Sequence, residues 1–123
     1  MAGGVDVNAN QLTNAELYNP ATCKWTIAGS LSEARVYFTA TLLASGEVLI
    51  AGGSSPTACV ATAELYNPST GEWTSTGSMT QPLCSHSAAV LPNGEVLVAG
   101  GNVRETVGTD TLAIAELYNP STS

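Results

Sequence analysis

The stretch AELYNP stands at residues 15–20, returns at 63–68 and occurs a third time at 115–120. A second stretch, GEVL followed by Ile or Val and then AGG, spans 46–53 and 94–101. From Ala15 to Asp110 two copies align without a gap at an offset of 48 residues, with Trp25/Trp73, Gly29/Gly77 and Ser30/Ser78 among the identical columns. A fixed period near 50 residues marks a repeat architecture, in which each unit buries its apolar faces by stacking on a like neighbour.

One period divides into four short strand signals separated by turns. Residues 63–66 read as a strand that stops at Asn67-Pro68, since Pro removes a ladder donor and Asn favours a turn. A tight connection leads to a strand over 73–75, and a loop through Gly77, Ser78 and Pro82 leads to the run 86–91. Pro92-Asn93-Gly94 closes a hairpin, because Asn-Gly takes up positive φ readily, and the chain returns over 95–99. The first copy predicts strands over 15–18, 25–27, 39–43 and 47–51. Val48-Leu49-Ile50-Ala51 is apolar throughout, which implies burial on both faces of its sheet. Four antiparallel strands per unit, stacked against like units, is the geometry of a propeller blade.

At 123 residues the chain is long enough for one ordinary domain, and the repeats make it a single region over 1–123. Its composition, 44% apolar with 12 glycines, fits a β-rich globular protein and excludes disorder. Lys24, Arg35 and Arg104 face ten acids for a net charge of −7, too few cations to neutralise nucleic-acid phosphates or to favour an anionic membrane. No apolar run reaches the length of a membrane helix, and the first residues, MAGGVDVNANQL, lack the basic start and apolar core of a secretory signal. Nothing in the chain names a compartment.

The run AELYNP, a turn, a Trp, then HSAAVLPNGEVLVAGG resembles the Kelch repeat of β-propellers, in particular the bacterial Kelch and galactose-oxidase-type repeats. The resemblance covers residues 2–120, with Ala2-Gly3-Gly4 similar to the tail of a preceding second strand. It implies an all-β fold of Kelch-type blades, lettered A to D from the innermost strand outward. The chain then reads as strands C-D of a first blade (14–37), a complete blade (38–75) and strands A-B-C of a third (85–120). Kelch propellers resemble rings of five to eight blades, so this chain is an incomplete ring, and its end blades leave apolar faces and strand edges open. Closure by copies of the chain or by further blades is therefore expected. In a closed ring of copies, either the strand at 15–18 or the strand at 115–118 is surplus.

Candidate chemistry is sparse. The recurring Glu16/Glu64/Glu116 and Glu47/Glu95 read as exposed strand positions or hairpin ends rather than as a cation-binding channel. A copper oxidase of the galactose-oxidase kind needs two histidines and two tyrosines at the metal, and His86 is the only histidine. His86, with Phe38 at the equivalent position, reads as packing near the central shaft. Tyr18, Tyr66, Tyr118, Trp25 and Trp73 recur regularly, so they read as filler between blades rather than as a sugar platform. No enzyme activity, cofactor or metal is expected.

Variation between copies locates the candidate contacts. The segment after the double glycine has nine residues at 54–62 and thirteen at 102–114, and the segment before the first strand also diverges, 33–37 against 81–85. In an up-and-down blade these loops emerge on one face, which makes Arg35, Tyr37, Cys59 and Arg104 the candidate binding residues. The same placement puts Cys59 and Cys84 in loops of neighbouring blades, where a disulfide is geometrically allowed. Three cysteines are an odd number, however, and unpaired thiols are the expectation for all three, with Cys23 on the opposite face. The reading is a propeller segment that serves as a protein-binding or scaffolding module. The alternatives are a non-catalytic fragment of a secreted carbohydrate-active or oxidase propeller, and an engineered or truncated self-assembling unit.

Overall fold

The computed structural model describes residues 1–103 and 112–122. Nine strands lie among them: β1 Asn14–Asn19, β2 Lys24–Ser30, β3 Thr39–Leu42, β4 Val48–Ala51, β5 Ala63–Asn67, β6 Glu72–Thr76, β7 Ser87–Val90, β8 Val96–Ala99 and β9 Ala115–Tyr118. They form three antiparallel sheets, β1-β2, β3-β4-β5-β6 and β7-β8-β9. The two repeats fold alike down to register: Leu49 pairs with Leu65 and Ile50 with Glu64, as Leu97 pairs with Leu117 and Val98 with Glu116.

AELYNP forms the third strand of each unit and builds its own stop. Asn19, Asn67 and Asn119 each accept, through Oδ1, the backbone N–H two residues on, at 2.9 Å in every case. This is the Asx turn that Asn before Pro favours. Ahead of β1, Ala2 bridges Ala15, so the N-terminal segment occupies the place of a second strand beside β1.

The sheets stack face to face, β3 beside β7 at the inner edge and β2 beside β6 at the outer one. Leu43, Leu49, Ala51, Ala63, Leu83, Val96 and Val98 form the core between the second and third sheets, and Ala15, Ala28 and Tyr66 a smaller one between the first and second. Each large aliphatic side chain so buried contributes about 1.5–3 kcal/mol, which makes stacking the main stabilisation of strands only four residues long. The double glycine makes the close stacking feasible. Gly52 has φ +60°, and a Cβ there would lie 2.5 Å from the Leu83 carbonyl oxygen of the loop entering the next sheet. Only glycine meets both demands.

Candidate functional site

The repeated glutamate of AELYNP proves to be the fastener between sheets. Glu64, on β5, accepts the Ser32 N–H at 2.9 and 3.2 Å, a donor in the loop that leaves the preceding sheet. Glu116, on β9, does the same one unit later, accepting Thr80 N–H at 2.8 Å and Gln81 N–H at 3.3 Å. The expectation that these acids are exposed is corrected for Glu64, which is buried. It is matched there by Arg35, itself 0% exposed. The Arg35 guanidinium lies 3.1 Å from Glu64 Oε1 and donates to the Gly52 and Thr62 carbonyls and to Thr62 Oγ1 at 3.0–3.1 Å. Glu47 and Glu95 do sit at hairpin ends, accepting from Ser45 and Asn93.

The four loop-face candidates divide accordingly. Arg35 is committed inward and offers nothing to a partner. Cys59 is buried and bonded to Cys84, with Cα atoms 5.4 Å apart, so the expectation of unpaired thiols is corrected for this pair and Cys59 is no free contact residue. The bond ties the loop after β4 to the loop before β7, which confirms that both emerge on one face. Tyr37 is 68% exposed beside them, held at φ +55°. Arg104 lies outside the described residues. Cys23 is exposed and forms no disulfide among the described residues.

His86 is buried between sheets, its Nε2 3.0 Å from Thr39 Oγ1. Loss of solvation holds its pKa below the usual 6.5, against the opposing pull of the Leu83 and Ala51 backbone. Among the described residues no three His, Cys, Asp or Glu side chains converge in a way that could hold a metal ion.

The aromatics divide by position in the stack. Trp73 lies on Gly29 of the preceding sheet and donates its indole N–H to the Ala28 carbonyl at 2.7 Å, while Tyr66 stacks beside it and is buried. A side chain on Gly29 would crowd that ring, since its Cβ would lie 3.2 Å from Trp73 Cδ1 at a φ of +74°. Tyr118 reaches back to Thr76 Oγ1 at 2.8 Å. Tyr18 and Trp25, the equivalents on the first sheet, make the same tilted pair, yet Trp25 is 55% exposed and its neighbour Ile27 86%. At the other end Leu117 is exposed, though its equivalent Leu65 packs into the core. Tyr18, Trp25 and Leu117 thus stand open at positions that pack against a neighbour in the middle sheet.

Two apolar cavities mark the same incompleteness. One, of about 180 Å3, lies between the second and third sheets, lined by Ala63, Gly77, Met79, Val98, Glu116 and Tyr118 among others. The other, of about 160 Å3, lies between the first and second, lined by Leu17, Phe38, Ala40, Ile50, Tyr66 and Trp73 among others.

Short antiparallel sheets of one repeated design, stacked face to face about an inner strand, define the class: these are propeller blades, in an open array and not a closed ring. Residues 35–80, which hold the whole of the middle blade, match the family model of the Kelch motif. No curated protein matches the sequence. Among the described residues no helix is long and apolar enough to cross a membrane.

Proposed function

We propose that this Kelch-repeat segment works by binding protein, as an interaction or scaffolding module, and not by catalysis. One observation carries the reading. Surfaces that the middle blade covers on both sides, Tyr66 and Trp73 on one face and Leu65 on the other, stand open at the ends of the array as Tyr18, Trp25 and Leu117. Large apolar side chains left open together on a folded unit mark a surface that is covered in use. The disulfide-braced loops around Tyr37 form a second, smaller contact surface on the same rigid support.

The Cys59–Cys84 bond also favours an oxidising compartment, since such bonds persist outside the reducing cytosol. That observation is shared with the alternative in which these blades belong to a larger secreted propeller. The test of the module reading is solution mass by light scattering at several concentrations, with an apolar-surface dye on the same samples. Self-association, or strong dye binding by a folded monomer, supports it. A folded, dye-silent monomer at every concentration sinks it.

A further inference from the structure

Resting on the reading above, and going on to name the partner, we infer that the open faces take a second copy of this chain, with Trp25 of that copy seated in the cavity beside Gly77.

The argument starts from what the complete joint contains. Between the first and second blades, fourth strand β6 lays Trp73 on Gly29 and bonds it to the Ala28 carbonyl. Forty-eight residues on, Gly77 and Thr76 repeat Gly29 and Ala28 in position, but the third blade ends at β9 and has no fourth strand among the described residues. The cavity of about 180 Å3 opens at this point, with Gly77 in its wall and Tyr118 beside it. It is the space that a fourth-strand tryptophan fills one joint earlier.

The matching tryptophan is Trp25, 55% exposed and with no blade packed over it among the described residues. Trp25 sits on β2, a fourth strand by register: it pairs with Tyr18 as Trp73 pairs with Tyr66, and stacks on it in the same way. When β2 of a second copy completes β7-β8-β9, Trp25 lies on Gly77 and its indole N–H meets the Thr76 carbonyl. The adjoining strand needs no new sequence, because β1 and β9 carry the same AELY. Whichever of the two stays beside β8 makes the same pairs, Val96 with Tyr, Leu97 with Leu and Val98 with Glu, and its glutamate takes the Thr80 and Gln81 N–H groups. The other is released, and residues 1–4, which hold the second-strand place beside β1, give way to β8.

The same docking fills the second cavity. Phe38, Ala40 and Ile50 line it where the first blade lacks inner strands. Their equivalents in the third blade, His86, Ala88 and Val98, belong to a face that packs on the middle blade, with Val98 in the core beside Leu49 and Ala51. Leu97 and Ala99 of the neighbouring copy repeat Leu49 and Ala51 one period on and are directed to that space. The contact is head-to-tail, so it propagates, and it closes only where rotation completes a ring.

The experiment compares the 123-residue chain with Trp25→Ala by light scattering, and follows Trp25 fluorescence in a Trp73→Phe variant. The expected result is a discrete oligomer whose association weakens about 30-fold or more in Trp25→Ala, the loss typical of an aromatic anchor in a pocket. Circular dichroism of the Trp25→Ala monomer should stay unchanged, since this side chain is half exposed there. In Trp73→Phe, the Trp25 emission should move to the blue and resist quenching as concentration rises. A chain that stays monomeric, or an oligomer that Trp25→Ala leaves intact, overturns the inference. A monomer that binds dye strongly overturns it while leaving the module reading standing.

Discussion

Replacing Arg35 by Leu tests the account of the joint between the first two blades. The substitution is one the repeat itself makes, for Leu83 occupies the equivalent position and is fully buried. The site therefore accepts the leucine side chain, and any loss comes from charge and hydrogen bonding rather than from bulk. Arg35 supplies donors to two carbonyls, a hydroxyl and a buried carboxylate. Its removal leaves Glu64 buried with only the Ser32 N–H, and stranding one member of such a pair costs about 3–5 kcal/mol. For a chain of this size that corresponds to a fall of about 10–20 °C in Tm. Urea unfolding at fixed protein concentration, on Arg35→Leu, Glu64→Leu and the double variant, reads the effect. The double variant should recover at least about 2 kcal/mol relative to the sum of the singles, because groups in one network couple. A cost below about 1 kcal/mol for Arg35→Leu, or strict additivity, would refute the reasoning.

Three further outcomes are expected. His86→Phe, which copies Phe38, should flatten the pH dependence of stability between pH 7.5 and 5.5. With its folded pKa below 6.5, wild-type His86 favours the fold fully above that value, and its contribution is lost as pH falls toward the folded pKa, so Tm against pH separates the two proteins. Reducing Cys59–Cys84, which are 25 residues apart, should lower stability by about 3 kcal/mol. The Cys59→Ala/Cys84→Ala protein should melt at the same lowered temperature with or without reductant. Gly52→Ala should cost about 3 kcal/mol or more, since its Cβ would meet backbone as well as adopt positive φ, whereas Gly94→Ala, with open space around it, should cost about 1 kcal/mol in the same denaturant titration.

The blade order was legible because AELYNP and the double glycine carry local chemistry: an Asn-Pro stop, a hairpin glycine and an all-apolar strand each act within a few residues. The joints between blades were less so. Arg35 and Glu64 are 29 residues apart, and the repeat conceals their partnership, because the second copy keeps the glutamate and replaces the arginine with Leu83. An arginine exchanged for leucine at one period was the available sign that the position is interior. Strand order placed Cys59 and Cys84 on one face, but bonding depends on how high each loop stands, which spacing does not specify. Regular recurrence points the tryptophans to the space between blades, and Trp73 lies there. Trp25 departs from that class because its neighbour on one side is missing, a property of the stack and not of the residue.

The position of the glutamate fastener bears on how such chains lengthen. Each 48-residue segment contains the carboxylate that grips the unit before it and the backbone amides that the unit after it will grip. A tandem duplication of the gene segment therefore copies both halves of the coupling at once, and the new unit is joined on both sides from its first generation. The joints can then diverge one by one, and Arg35 at one joint with Leu83 at the next is such a difference in this chain.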